Sequence, residues 1–161
     1  MEQIDEKMFA QLARLAGFGR TGFCSAAAFT AEREAVERGP EIAERRQLRF
    51  DPTADDPRTK SIAVMLWPYV PAAQEENDCV FVDGYYFASN AAYHAARALE
   101  AQLTEAGRFA KANASYPARE AALRAGMGVI GQNGMLITPE YGSRFVIILM
   151  ATDIAHTAPD C

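Results

Sequence analysis

Between Ala125 and Ser143 the chain places five glycines, Gly126, Gly128, Gly131, Gly134 and Gly142, around a short apolar run. Glycine at that density lets a backbone adopt positive φ, come close to another group, or both. Asn133-Gly134 is a turn dipeptide, and Met135-Leu136-Ile137-Thr138 reads as the strand leaving it. Two readings follow. A backbone with few side chains and free N–H groups is a good wall for a large flat ligand or a phosphate. The same residues also describe a helix C-cap followed by a tight turn.

The spacing Gly126-x-Gly128-x-x-Gly131 matches a dinucleotide-binding fingerprint, but its setting is inverted. That fingerprint follows a strand and opens a helix, whereas this one follows a helix and precedes a strand, so the dinucleotide reading fails. The chain has 161 residues, one domain by size, and half of them are hydrophobic, enough for a sizeable core. A net charge of -5 gives no basic excess for a general nucleic-acid binder. The N-terminus lacks the basic and apolar regions of a signal peptide, and no apolar run approaches the ~20 residues that span a bilayer. The chain therefore reads as cytoplasmic. Cys24, Cys79 and Cys161 are odd in number and widely spaced, which implies no disulfide framework and no metal site.

Along the chain, residues 2–16 read as an amphipathic helix with Ile4, Met8, Leu12 and Leu15 as its stripe and Gly17 beyond its end. Residues 20–26 give a short strand or loop. A helix over 30–38 takes Thr30 as N-cap, and a short one follows Pro40 over 41–47. Residues 49–60 form a connecting loop. Ser61 to Trp67 is a strand apolar on both faces, which belongs inside a sheet covered on both sides. A surface loop over 72–84 leads to a long helix, 89–106, capped by Ser89 or Asn90. Its buried stripe is Ala92, Ala96, Leu99 and Leu103, and Gly107 ends it. A short strand falls in 108–113. Pro117 opens a helix that Gly126 closes, and Phe145–Ala151 is a second fully buried strand. The class is α/β or α+β in one layered domain, a mixed sheet with helices on both faces. No Ser/His/Asp set, Cys/His pair or paired carboxylates stand out, so the residues alone give a layered domain with one glycine-rich wall.

The stretch from Ala121 to Ser143 resembles the signature A…AG-[LM]-G-x-I-G-K-N-x-L-L-I…YGS of the epoxyqueuosine reductases and their paralogues, which are themselves similar to the reductive dehalogenases. Arg49-Phe50-Asp51-Pro52 through Trp67-Pro68-Tyr69, and Asn90-Ala91-Ala92-Tyr93-His94, also look like stretches of that family; the resemblance covers roughly residues 45–155. It implies a three-layer nitroreductase-like fold that binds cobalamin against the glycine-rich wall, with electrons delivered by two iron–sulfur clusters in a following domain. Carried over residue by residue, Gly128, Gly131, Gln132, Asn133, Gly134 and Met135 line the cofactor, with Tyr141, Gly142 and Ser143 near it.

Three departures bear on function. The family's cluster-binding cysteine runs follow the position of Cys161, where this sequence stops. Cys161 is thus a cluster ligand only in a longer chain, and electrons are expected from a separate iron–sulfur domain or partner. The family acid, Asp-x-Gly-Pro, is Ala114-Ser115-Tyr116-Pro117 here, which points away from epoxyqueuosine as substrate. Tyr116 is then the nearest proton donor, as a tyrosine is in the dehalogenases, and a phenol near pKa 10 is protonated at neutral pH. The motif lysine is Gln132, which removes a positive charge from the cofactor edge. Tyr93 and His94 are candidates for substrate contact, against the plainer reading of helix-surface residues. Tyr85-Tyr86-Phe87 is read as an aromatic loop packed on the core, and Tyr69 as a packing residue. Without the cluster domain an apolar face stays open, which predicts a homodimer. The alternatives are a non-catalytic binding module that keeps the fold, and a flavin-binding nitroreductase-like protein.

Overall fold

The computed structural model describes residues 4–38, 48–71 and 83–161. Their elements in order are α1 (Glu6–Leu15), β1 (Arg20–Ser25), α2 (Thr30–Glu37), α3 (Pro52–Asp55), β2 (Ser61–Pro68), α4 (Gly84–Glu105), β3 (Ala110–Ala112), α5 (Ala118–Arg124), β4 (Val129–Ile130), β5 (Leu136–Ile137) and β6 (Phe145–Thr152). The expected short helix over 41–47, the loop over 72–82 and Cys79 lie outside the described residues.

A four-stranded sheet in the order β1-β2-β6-β3 forms the middle layer. Its registers run Arg20↔Leu66 to Ser25↔Ser61, Ser61↔Thr152 to Pro68↔Phe145, and Ala110↔Thr152 to Ala112↔Met150. Among the described residues every pairing is antiparallel, so the expected mixed sheet is corrected there to an antiparallel one. What makes β2 and β6 continuously apolar is burial on both faces, whatever the direction of their neighbours.

The two faces carry two cores. Ala63 and Met65 of β2 point, with Val146, Ile148 and Met150 of β6, toward α1 and α4. Ile62, Val64 and Leu66 point the other way, toward Tyr116, α5, Met127 and Leu136. This alternation is the two-residue period of a strand read twice. Burying each of the large side chains, such as Leu99 or Ile62, stabilises the fold by about 1.5–3 kcal/mol. The polar pair at the sheet's end is satisfied: Ser61 Oγ and Thr152 Oγ1 are 2.9 Å apart, and Ser61 also donates to the Ile154 carbonyl at 2.8 Å.

Three helices stop by the same device. Gly17, Gly107 and Gly126 have φ of 108°, 75° and 61°. In each case the glycine N–H and the next N–H reach back to carbonyls of the last turn: Gly17 to Arg14 and Phe18 to Ala13, Gly107 to Thr104 and Arg108 to Leu103, Gly126 to Leu123 and Met127 to Ala122. These are Schellman motifs, which satisfy carbonyls that the helix end would otherwise leave unpaired.

Other boundaries move from the sequence reading. α1 begins at Glu6 behind the cap Asp5, and its buried line is Phe9 and Ala13, one residue round from the expected stripe; Leu15 is exposed. Thr30 is the first residue of α2 rather than its cap; the N-cap position belongs to Phe29, which makes no side-chain capping bond. The loop over 49–60 contains α3, held by Asp51 Oδ1 accepting from the Thr53 and Ala54 amides. α4 starts at Gly84 with Asp83 as cap, not at Ser89 or Asn90, so Tyr85, Tyr86 and Phe87 are exposed on its first turn instead of packing as a core loop. Its predicted stripe Ala92, Ala96, Leu99 and Leu103 is buried. Among the described residues no helix is long and apolar enough to cross a membrane.

Candidate functional site

The glycine stretch folds as a hairpin laid beside the end of α5. Met127, just past the Schellman turn, is buried against β1, where a Cβ on Gly22 would stand 2.6 Å from its sulfur. β4 and β5 then pair Val129↔Ile137 and Ile130↔Leu136. The connecting turn is closed by Gly131 N–H to Met135 O and by Gly134 N–H to Gly131 O, both 2.9 Å. Asn133 Oδ1 accepts from the Met135 amide at 3.1 Å, and Gly134 sits at φ 73°. A second tight turn follows, with Thr138 and Gly142 exchanging backbone bonds and Thr138 Oγ1 accepting from the Tyr141 amide.

Both readings of the glycines meet here. Gly126 and Gly134 supply positive φ. Gly128 has no room for a side chain because the Ile137 carbonyl lies against it, and Gly131 faces the Ile137 side chain and Asn133. These glycines serve the hairpin's own closure. Leu136 turns inward to the core, and Val129, Ile130, Met135 and Ile137 stay exposed. Val129 and Ile137, paired across the two strands, give the hairpin an exposed apolar face, and Ile130 on the other face borders the cleft over Tyr116. Gln132 and Asn133 are exposed at its tip, Tyr141 is half-buried with its hydroxyl over Gly19, and Gly142 and Ser143 follow in the second turn.

Two arginines brace this surface. Arg20 of β1 donates to the Met127 carbonyl at 3.1 Å, to the Gly126 carbonyl at 3.3 Å and to Glu140 at 3.0 Å. Arg119 of α5 donates through Nη1 to the Gly134 carbonyl.

Tyr116 lies at the floor of a cleft of about 550 Å³ bounded by α2, α5 and the hairpin. Val36, Leu48, Phe50, Leu123 and Ile130 supply its apolar lining, with Glu32 and Arg119 among its polar groups. The Tyr116 ring is buried and stacks on Phe29, 6.2 Å between centroids and 18° between planes. Phe29 in turn lies under the Arg124 guanidinium at 4.1 Å. The phenol is not at its ordinary value: burial pushes it up, and the Asp55 carboxylate beside it pushes it further, with Arg49 partly offsetting. Asp55 accepts from Arg49 Nη1 at 2.7 Å through Oδ1, while its Oδ2 is buried without a partner. Tyr116 is thus held protonated, as the sequence suggests, but as a weaker acid than a free phenol.

Tyr93 and His94 are exposed on α4, packed edge to face at 5.4 Å. α4 covers the opposite face of the sheet from α5 and Tyr116. The structure does not bring these two residues to the hairpin or the cleft. Tyr69 packs edge-on against Tyr85 at 5.9 Å. Cys24 is buried, its thiol pushed up to about 12, first by burial and then by Asp160. Cys161 is exposed and placed beside the glycine stretch: its amide donates to the Arg124 carbonyl at 2.9 Å, and a Cβ on Gly126 would meet its sulfur at 2.9 Å. Among the described residues no group of three or more His, Cys, Asp or Glu is placed to hold a metal ion.

Asp55, Arg49, Glu32 and Arg20 gain their place only from the fold. Arg49 and Asp55 lie six residues apart in a stretch without periodicity, and β1 reaches the hairpin across more than a hundred residues of sequence, so no local pattern marks them.

No protein-family model matches the sequence, and a search of curated proteins finds no match. Solved structures do share the fold. An epoxyqueuosine reductase solved with an epoxyqueuosine-modified tRNA stem loop superposes with a TM-score of 0.75 at 20% identity, over 97% of this chain and 47% of that one. The epoxyqueuosine reductase from Streptococcus thermophilus gives 0.71 at 22% identity, over 98% and 48%. A reductive dehalogenase whose structure suggests a mechanism for B12-dependent dehalogenation gives 0.67 at 17% identity, over 100% of this chain and 21% of that one. The chain thus spans about half the length of these reductases and about a fifth of the dehalogenase.

Proposed function

We propose that this chain is the corrinoid-binding domain of a reductase, with the β4–β5 hairpin as the wall for a cobalamin. The observation that carries the reading is the hairpin's outer surface. Val129, Met135 and Ile137 are exposed on one face of the hairpin, and Ile130, on the other face, lines the cleft that has a protonated phenol at its floor. A macrocycle with apolar faces and an amide rim fits such a surface: Val129, Met135 and Ile137 would meet its face, and Gln132 and Asn133 at the tip have the donors and acceptors for its rim. The fold shared with a dehalogenase described as B12-dependent supports the choice of ligand.

When bound, the cobalamin supplies a cobalt centre for two-electron reduction, with electrons from an iron–sulfur donor on a separate domain or partner. The chain's own residues do the rest. Arg20 and Arg119 hold the hairpin at its base and tip. Tyr116 holds a proton at its phenol oxygen, kept there at neutral pH by burial and Asp55. Arg49, bound to Asp55, offsets the charge left when that proton moves into the cleft. The apolar lining keeps water from competing for it. By the resemblance, Ala114 takes the place of the epoxyqueuosine reductases' acid, which points away from epoxyqueuosine as substrate. Cytoplasmic location and a homodimer belong to the same proposal.

Titrating the purified chain with hydroxocobalamin tests it. A shift in the visible spectrum that saturates is the expected result. An unchanged spectrum overturns the reading, and a yellow protein carrying flavin replaces it.

A further inference from the structure

The cleft over Tyr116 has an uneven polar lining. Glu32 Oε2 is buried and accepts no hydrogen bond among the described residues. The nearest guanidinium nitrogen, Arg124 Nη2, is 4.0 Å away, too far to donate. Arg124 is already committed: Nη1 donates to the Ala27 carbonyl at 3.0 Å, Nη2 to the Ala28 carbonyl at 3.4 Å, and Nε to Glu120 at 3.4 Å. Glu32 and Glu120 thus share one guanidinium. Arg119, which lines the cleft, gives Nη1 to the Gly134 carbonyl. A buried carboxylate oxygen without a donor is unfavourable, and a ligand that brings one recovers that loss.

Glu32 is carried by α2. None of its residues is buried. Val36 is half-buried on the cleft side, facing the apolar lining given by Phe50, Leu123 and Ile130. About 550 Å³ is in the range of small-molecule sites, which are mostly apolar with a few polar groups that fix orientation.

We propose that this cleft binds a small, mainly apolar molecule carrying an ammonium group, with the Glu32 carboxylate turned from Arg124 to meet the ammonium and the apolar part between Val36 and Leu123. This names the substrate class for the site beside Tyr116, and in that role it rests on the corrinoid reading. The binding itself requires no cobalamin.

The test uses two probes of one shape and opposite charge, 2-phenylethylamine and 3-phenylpropanoate, titrated into the full chain without cobalamin. Binding is followed by NMR shifts of the Val36, Leu123 and Ile130 methyls. The amine is expected to saturate with shifts centred on those methyls, and the carboxylate to bind at least on the order of tenfold more weakly, the scale of one charge-assisted hydrogen bond. Glu32→Gln should weaken the amine by a similar factor, and Ala35→Trp, on the exposed side of α2 at the cleft, should block both probes. Equal binding of the two probes overturns the inference, as does preference for the carboxylate, which would put Arg119 in control. The probe comparison on the unaltered chain needs no variant, so it stands even where a substitution disturbs the fold. Hydroxocobalamin titrated into the same sample separates the two proposals. Amine binding without cobalamin binding keeps the cleft and removes the corrinoid reading, and the converse removes only the cleft.

Discussion

Adding one methyl group at residue 128 and another at residue 107 separates two uses of glycine. At Gly107 φ is 75° and nothing lies within 4 Å of a built Cβ, so alanine meets only the left-handed backbone penalty, about 1–2 kcal/mol. At Gly128 φ lies outside the left-handed region, but the Cβ would press on the Ile137 carbonyl, which is backbone and cannot rotate away. The pairing Val129↔Ile137 must open or shift, an overpacking penalty at the upper end of about 1–3 kcal/mol. Both changes gain the same term, about 0.4–1 kcal/mol, from a stiffer unfolded chain, so it cancels in the comparison. Gly107→Ala should therefore lose about 1 kcal/mol and Gly128→Ala about 2 kcal/mol or more. Urea unfolding followed by circular dichroism reads both, with m unchanged as the check that the transition is the same. Gly128→Ala should also weaken cobalamin binding, and Gly107→Ala should leave it unchanged. A Gly128→Ala protein as stable as the parent, or less destabilised than Gly107→Ala, would refute the claim that these glycines close the hairpin.

The remaining predictions concern charge and reactivity. Tyr116 and Cys24 keep their protons in the fold above the values at which the unfolded chain releases them, so the native state binds more protons there and stability falls as pH rises from about 9 toward 12. Tyr116→Phe should flatten part of that fall in urea midpoints, and an unchanged slope would contradict it. Iodoacetamide at neutral pH should label exposed Cys161 well before buried Cys24, as read by peptide mass spectrometry; comparable labelling would mean that the cores open readily. Arg20→Ala removes donors from Gly126, Met127 and Glu140 and should lose about 1–2 kcal/mol, with amide exchange accelerated in β4 and β5 before β2 and β6. Uniform acceleration would show that Arg20 supports the whole fold and not the hairpin.

Much of the architecture is local enough to read in the sequence. The stripe of α4, the continuous apolar runs of β2 and β6, and the three helix-ending glycines each depend on neighbours within a few residues. What fails is also physical. Strand direction cannot be read from an apolar run, because Ile62 and Ala63 are both buried whether their partners run parallel or antiparallel. The stripe of α1 is displaced because Phe9 docks on Phe23, 5.3 Å between rings, and turns Leu15 to solvent. The start of α4 is hidden because Asp83, not the more obvious Ser89 or Asn90, accepts from the Tyr85 amide at 2.7 Å. At the site, the hairpin is marked by the motif and Tyr116 by a departure from the family's pattern, whereas the Arg49–Asp55 pair and Glu32 reach Tyr116 and its cleft from two other stretches of the chain. Tyr93 and His94, inside a stretch that resembles the family, are carried to the other side of the sheet.

The most direct measurement is retention of hydroxocobalamin through gel filtration, on the unaltered chain and on Met135→Glu, which sets a carboxylate on the exposed wall without touching a buried residue. The account predicts co-elution of one cobalamin per chain and its loss in Met135→Glu, with the far-ultraviolet spectrum unchanged. Absence of cobalamin from the unaltered protein's peak, or equal retention by Met135→Glu, would contradict the hairpin as the corrinoid wall.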